Sequence, residues 1–138
     1  MEIRSAQLAD AEVIKSFDEV AMRAASRAEF IDQAIRGARC IVAVVDGHAV
    51  AYAVFDYSFY GRGFVSMLYV QRDYRRQGVG AALMRSLLDE CATSKLFTST
   101  NRSNTPMQGL LVKLGFEPSG VIENLDEGDP ELVYAKRL

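Results

Sequence analysis

The residues best suited to bind an anion are concentrated in one short segment, residues 68–81. Arg75 and Arg76 supply two positive charges, and Gly78 and Gly80 follow them at the start of an apolar helical pattern. The first backbone N–H groups of a helix have no partner within the helix and carry the positive end of its dipole. Glycine has no Cβ, so a phosphate can approach those amides closely. We therefore predict a phosphate-binding cradle at this helix start.

The spacing Arg-x-x-Gly-x-Gly is a weak signal alone, because arginine and glycine are both frequent in this chain. Its position between a β-rich run and an amphipathic helical pattern strengthens it. A dinucleotide-binding loop would need a third glycine after the first strand of a parallel unit, and a Walker-type loop would need Gly-Lys-Ser/Thr. Neither pattern is present, so both of these phosphate loops are excluded.

The elements that would position this segment can be predicted from the spacing of apolar residues. β-rich runs between turn residues indicate strands, and apolar residues at i, i+3 and i+4 indicate helices. The predicted strands are residues 3–7, 40–45, 50–55, 64–70, 96–99, 120–122 and 132–136. The predicted helices are residues 10–20, 30–38, 78–91 and 105–114. The order is β-α-α-β-β-β-α-β-α-β-β, which predicts an α/β layered domain with a mixed sheet.

Local signals refine the ends of these elements. Residues 46–47 are Asp-Gly, which predicts a tight hairpin turn between two strands. Asp10 is the predicted N-cap of the first helix. Thr105 is the predicted N-cap of the last helix, with Gln108 completing a capping box. Gly115 is the predicted left-handed residue that ends this helix.

Composition restricts the class of protein. The chain has 138 residues, 49% of them apolar and 25% charged, with a net charge of −2. These values predict one globular domain, residues 1–138, and exclude a disordered chain or a nucleic-acid partner bound by bulk electrostatics. No apolar run is long enough to cross a membrane, and the first residues do not resemble a signal peptide. We therefore predict a cytoplasmic protein with no membrane partner.

The two cysteines do not indicate a metal site. Cys40 and Cys91 lie in apolar surroundings, and their spacing matches no zinc pattern. We predict that both are small buried hydrophobic residues in a reducing compartment, and that no metal is required.

The glycine segment and its surroundings resemble the GNAT superfamily of N-acetyltransferases. Arg75-Arg-Gln-Gly-Val-Gly80 matches the family signature Gln/Arg-x-x-Gly-x-Gly/Ala. Leu68-Tyr-Val70 resembles the strand end that precedes this signature. Asn104 stands where the family often has an asparagine, and Lys113-Leu-Gly-Phe116 resembles the end of the following helix. The resemblance is specific from residue 64 to residue 116 and covers the whole element order more loosely.

The resemblance implies a mixed, mostly antiparallel sheet of about six to seven strands flanked by about four helices. It implies acetyl-CoA as cosubstrate, with the pyrophosphate on the amides of residues 76–81 and the pantetheine arm along the backbone of Leu68 and Val70. The Val70 N–H would stabilise the oxyanion that forms during attack on the thioester. The implied cofactor-binding residues are Leu68, Tyr69, Val70, Arg75, Arg76, Gln77, Gly78, Val79, Gly80, Ala81 and Asn104.

Two departures from the family pattern leave the general acid and base unassigned. Leu111 stands where many relatives have a tyrosine that protonates the departing thiolate, and residues 64–70 contain no carboxylate to act as base. Either water and the substrate's own proton suffice for these proton transfers, or another side chain acts as the general acid or base. Tyr134 and Tyr57 are the candidates, with Tyr134 preferred.

The resemblance predicts transfer of an acetyl group to a primary amine of a small molecule or peptide. The alternative is a non-catalytic acyl-CoA-binding module that senses or regulates, and formation of a homodimer stays open. His48 is interpreted as an exposed turn residue. The acidic residues 123–131 are either a solvated loop or a cation-attracting rim of the acceptor site. The aromatic residues 57–60 are either packed on the sheet or lining an acceptor pocket.

Overall fold

The computed structural model describes the whole chain, Met1–Leu138. The strands are β1 (Glu2–Ser5), β2 (Cys40–Val45), β3 (His48–Phe59), β4 (Arg62–Val70), β5 (Lys95–Asn101), β6 (Glu117–Ile122) and β7 (Glu131–Arg137). The helices are α1 (Asp10–Phe17), α2 (Ala25–Arg36), α3 (Val79–Glu90) and α4 (Thr105–Lys113), with a 3-10 turn at Arg72–Tyr74. The predicted element order is therefore confirmed. None of these helices has the length and apolar character needed to cross a bilayer.

The strands form one sheet in the order β1-β2-β3-β4-β5-β7-β6. The pairing of β4 with β5 is parallel, whereas β1 with β2, β2 with β3, β5 with β7 and β6 with β7 are antiparallel. This is the mixed, mostly antiparallel sheet with four helices that the sequence predicted.

The chain divides into two compact units, of which the first comprises Met1–Phe55 and Met67–Leu87. Successive residues of β2 belong alternately to two apolar clusters, because side chains alternate between the faces of a strand. Val42 packs in one cluster with Ile14 of α1 and Ile31 of α2. Ala43 packs in the other with Leu83 of α3. The first unit thus places α1 and α2 on one face of its strands and α3 on the other.

The second unit comprises Asp56–Ser66 and Leu88–Leu138. Every second residue of β5 is buried, including Leu96 and Thr98, and the Thr98 hydroxyl donates to the Val65 carbonyl at 2.8 Å. Strand β5 pairs along its full length with β7, from Lys95↔Arg137 to Asn101↔Glu131. Buried apolar side chains from α4 and β7 complete the packing of this unit.

The sequence predicts the hairpin turn correctly, whereas its predictions of the helix N-caps are wrong by one residue. Asp46 and Gly47 both have positive φ, 51° and 79°, which confirms the predicted hairpin. The N-cap of α1 is Ala9, so the prediction of Asp10 as the cap was wrong. Asp10 is the first helical residue, and its carboxylate accepts the N–H of Gln7 at 2.7 Å.

The start of α4 also differs from the prediction by one residue. The N-cap is Asn104, whose Oδ1 accepts the Met107 N–H at 3.2 Å, so the prediction of Thr105 as the cap was wrong. Gln108 does not complete a capping box. Its side-chain amide instead donates to the Arg102 carbonyl at 2.6 Å. Gly115 has φ +90°, as predicted for the residue that ends this helix.

Candidate active site

The predicted cradle lies at the start of α3. The Gly78 carbonyl accepts the first hydrogen bond of the helix, from the Ala82 N–H at 3.0 Å. The amides of residues 79–81 precede that bond and have no acceptor within the helix. Arg76 (φ 64°) and Gly78 (φ 81°) both adopt left-handed conformations. Left-handed residues of this kind occur in backbone turns whose N–H groups bind anions in other proteins.

The space at Gly78 is open. A Cβ built on this residue meets no heavy atom within 4 Å. A side chain at this position would therefore project into free space beside the cradle rather than into the protein. The glycine keeps that space accessible to a ligand, and the residues present fit a phosphate group.

The two arginines of the motif have different surroundings. Arg75 Nε donates to the Val70 carbonyl at 2.9 Å, and its guanidinium carbon lies 5.3 Å from the centroid of the Tyr69 ring. Arg75 therefore lies over the end of β4. Arg76 is exposed beside the cradle. Gln77 donates to the Asp73 carbonyl at 3.0 Å and so stabilises the turn that precedes α3.

The end of β4 presents backbone groups away from β3. The Gln71 N–H donates to the Val50 carbonyl of β3 at 2.8 Å. In an antiparallel pair, neighbouring residues direct their backbone groups to opposite sides. The N–H and C=O groups of Val70 and Leu68 therefore point away from β3. The bond from Arg75 to the Val70 carbonyl shows that a side-chain donor reaches this edge.

A fully buried carboxylate fixes the connection between α1 and α2. Asp18 Oδ1 accepts the N–H groups of Val20 and Ala21 at 2.9 and 3.0 Å. Asp18 Oδ2 accepts the Tyr52 hydroxyl at 2.6 Å and Arg27 Nη1 at 2.8 Å. Burial and then the Asp18 carboxylate raise the pKa of the Tyr52 hydroxyl, so it stays protonated and donates. The sequence did not predict this network.

A cleft lies beside that connection. Its volume is about 480 Å³, and it is lined by Ser16, Phe17, Glu19, Met22, Gln71, Arg72 and Asp73. Arg72 Nη2 lies 2.9 Å and 3.2 Å from the two carboxylate oxygens of Glu19. The Glu19 N–H donates to the Tyr69 hydroxyl at 3.1 Å. The cleft therefore borders the chain segment that directly follows Val70. The sequence did not predict its charged residues either.

The remaining predicted residues lie in the second unit. Asn104 caps α4 through its side-chain oxygen. Leu111 is fully buried, so the alkyl chain that replaces the family tyrosine packs in the core. Tyr134 is 5% exposed and lies opposite Thr98 in the sheet. The Tyr57 hydroxyl accepts the Ala92 N–H at 3.0 Å just after α3, which gives this tyrosine a structural role.

The acidic residues 123–131 are largely exposed but have ordered side-chain partners. Asp129 accepts the Ser103 N–H and hydroxyl at 3.0 and 2.6 Å, and Asp126 accepts the Asn101 side-chain amide at 2.9 Å. Nowhere in the chain are three or more His, Cys, Asp or Glu side chains grouped so that they could hold a metal ion.

Comparison with known proteins defines the class. The model of the acetyltransferase (GNAT) family matches residues 6–116, which include both the cradle and Asn104. The chain belongs to the GNAT family of acetyltransferases. The resemblance found in the sequence is thereby confirmed, as is the prediction of an acyltransferase at the level of the family.

Comparisons with individual proteins indicate the same class. A Bacillus subtilis protein, provisionally assigned as a ribosomal protein bS18-alanine N-acetyltransferase, is 30% identical over 105 residues, which is 70% of this chain and 66% of the relative. A GNAT acetyltransferase structure from Bacillus cereus is 32% identical and covers 99% of this chain and 96% of its own, with a TM-score of 0.91. A Salmonella typhimurium structure with its cofactor acetyl-CoA shares the fold at 21% identity, covering 100% and 94%, with a TM-score of 0.77.

Proposed function

We propose that this protein transfers the acetyl group of acetyl-CoA to a primary amine, and that residues 1–138 act as one catalytic domain. The observation that carries the proposal is the start of α3, where the first amides have no acceptor within the helix and the space at Gly78 is open. Acetyl-CoA supplies an activated thioester carbonyl and the phosphate groups through which the protein can bind it. The occurrence of acetyl-CoA in the Salmonella typhimurium structure of the same fold supports this choice of cosubstrate.

Different residues of the chain bind acetyl-CoA and stabilise the oxyanion that forms during the reaction. The amides of residues 76–81, with the charge of Arg76, hold the pyrophosphate. The edge of β4 that faces away from β3 offers the backbone groups of Leu68 and Val70 to the pantetheine amides, as an added strand would use them. The Val70 N–H donates to the carbonyl oxygen as negative charge develops on it during attack by the amine.

For the acceptor we propose the N-terminal amine of a polypeptide. The support is the Bacillus subtilis relative, whose provisional assignment is to the alanine of a ribosomal protein. An α-amino group has an ordinary pKa of about 8, so a useful fraction is neutral and nucleophilic near neutral pH. Such an acceptor needs less help from a general base than a lysine side chain does. This is consistent with the lack of a carboxylate in residues 64–70.

The cellular setting in our proposal is the cytoplasm. Both cysteines are free thiols, which is typical of a reducing compartment. Burial raises the pKa of the Cys40 thiol to about 12, so this residue is a packing element rather than a nucleophile.

The second candidate function is a non-catalytic acyl-CoA sensor. The observation that favours it is the fully buried Leu111, which can donate no proton at the position where the family resemblance implies a tyrosine in many relatives. Release of free CoA thiol with a panel of amines separates the two functions. We expect thiol release that depends on an N-terminal amine. Binding of acetyl-CoA without amine-dependent thiol release would establish the sensor instead.

A further inference from the structure

We infer that Arg75 is a positioning residue at the acyl end of the acetyl-CoA site, and that it does not bind the pyrophosphate. The inference rests on the proposed function, since it concerns the Val70 N–H that stabilises the oxyanion. In the sequence, Arg75 and Arg76 are adjacent, and both offer positive charge to the cradle. In the folded chain Arg75 is held at β4, and Arg76 is the arginine that remains available to a phosphate.

Two contacts hold the Arg75 guanidinium over the end of β4. Its Nε donates to the Val70 carbonyl at 2.9 Å, and its central carbon lies 5.3 Å from the centroid of the Tyr69 ring. The ring is itself fixed, because it stacks on Tyr52 with a centroid distance of 6.2 Å. To reach a phosphate, Arg75 would have to give up both the hydrogen bond and the cation–π contact. Arg76 is exposed beside the cradle and has no such contact to lose.

The hydrogen bond from Arg75 fixes one peptide group that is also held from the other side. The Val70 carbonyl and the Gln71 N–H belong to the same planar peptide group. The carbonyl accepts from Arg75, while the N–H donates to the Val50 carbonyl of β3 at 2.8 Å. This peptide group cannot turn without breaking a hydrogen bond at each end. The conformation of Val70 at the end of β4 is therefore fixed.

The Val70 N–H lies beside that carbonyl, because the N–H and C=O groups of one strand residue point to the same side. The partial negative charge on the carbonyl oxygen would oppose an oxyanion at the neighbouring N–H. The Arg75 guanidinium compensates this charge. It has no carboxylate partner of its own, whereas Arg72 is paired with Glu19. Arg75 thus holds the oxyanion donor in place and makes its surroundings more positive.

The same substitution at the two neighbouring arginines separates the two roles. Arg76→Met should weaken binding of CoA about tenfold, because it removes charge beside the phosphates. Arg75→Met should leave CoA binding within about twofold of wild type and lower kcat at saturating acetyl-CoA about tenfold. Calorimetry with CoA measures binding, and release of thiol with an alanine-initiated peptide measures kcat.

A second measurement needs no ligand. If Arg75 holds the peptide group between Val70 and Gln71, Arg75→Met should speed hydrogen exchange of the Gln71 amide about tenfold, whereas Arg76→Met should not change it. Arg75→Lys should restore the slow exchange and most of kcat, because an ammonium group can donate to the Val70 carbonyl and keeps the charge. A role in stability alone would instead lower kcat and CoA affinity together.

The inference is overturned if Arg75→Met weakens CoA binding as much as Arg76→Met does, because Arg75 would then be a phosphate ligand. It is also overturned if Arg75→Met leaves either kcat or the exchange of the Gln71 amide at its wild-type value. Failure of the proposed function looks different, since the wild type itself would then release no thiol with any amine. The exchange rates and the CoA affinities would still show whether Arg75 holds β4 or binds phosphate.

Discussion

Gly78 combines a left-handed backbone with an open position beside the unpaired amides of α3, and a substitution can separate these two properties. Gly78→Val places a branched side chain in the open space and should weaken CoA binding at least tenfold, about 1.4 kcal/mol. Calorimetric titration with CoA measures this loss.

The control for the backbone effect is Gly47→Val. Gly47 has nearly the same φ, 79° against 81°, and is equally open, but it lies in the β2–β3 hairpin. Both variants should lose a similar amount of stability, about 1–2 kcal/mol from the left-handed conformation. Equal CoA affinities in the two folded variants would contradict the assignment of the cradle.

Asn104 has one demonstrated role and one that remains predicted. Its side-chain oxygen caps α4, so Asn104→Ala should lower the free energy of unfolding by about 1 kcal/mol. The predicted contact of its amide with pantetheine should in addition raise the KM for acetyl-CoA more than it lowers kcat. Asn104→Ser is the informative partner, because serine retains a capping oxygen but has no amide. A normal KM for acetyl-CoA in the stable serine variant would remove Asn104 from the binding site.

Tyr134 is the preferred candidate for the proton donor, with Tyr57 as the alternative. Leu111 has no proton to donate, and the Tyr57 hydroxyl accepts the Ala92 N–H, whereas Tyr134 carries a phenol on β7. If it protonates the thiolate, Tyr134→Phe should lower kcat about 100-fold and leave the KM for acetyl-CoA nearly unchanged. Steady-state kinetics decide this. If Tyr134→Phe leaves kcat unchanged, the proton on the thiolate comes from water, from the acceptor or from another residue.

Among the elements, the junction between β1 and α1 depends on one carboxylate. The hydrogen bonds from Arg4 Nη1 and Nη2, at 2.7 and 3.0 Å, hold the pKa of Asp10 below its ordinary value. A lowered pKa in the folded state contributes stability above the ordinary carboxyl pKa, and this contribution disappears as the pH falls through the folded value.

Asp10→Asn tests this contribution. The variant should be less stable than wild type by roughly 1–3 kcal/mol at pH 7, with the difference shrinking as the pH falls below the ordinary aspartate pKa of about 4. Urea unfolding at several pH values measures it. Glu12→Gln, on the exposed side of the same helix, should show no comparable trend. A destabilisation that is independent of pH would mean that Asp10 acts through packing alone.

The order of the elements could be predicted because its signals are local. The turn at Asp46 and Gly47 requires positive φ at both positions, and the apolar spacing of α3 is a property of a dozen neighbouring residues. The residue that caps a helix could be predicted less accurately, for a physical reason. Asn104 and Thr105 are adjacent and are both good caps, and only the path of the chain out of β5 decides which one lies just outside the helix.

At the scale of the whole molecule, the sequence predicts the cradle but contains no signal for the cleft. All residues of the cradle are contiguous. The Asp18–Tyr52 bond joins positions 34 residues apart, and the Glu19–Arg72 pair joins positions 53 residues apart. Read alone, Asp18 and Glu19 are ordinary polar residues after a helix. Their roles arise only when tertiary packing brings β3, β4 and the following turn beside them.

We propose that the protein moves an acetyl group from acetyl-CoA to an amine. The most direct measurement is mass spectrometry of an alanine-initiated peptide incubated with acetyl-CoA and the protein, combined with thiol titration of the same sample. We expect one acetyl group on the peptide's N-terminal amine for each CoA thiol released, and we expect Gly78→Val to lose both products together. Unmodified peptide and no thiol release from a protein that binds acetyl-CoA tightly would contradict it.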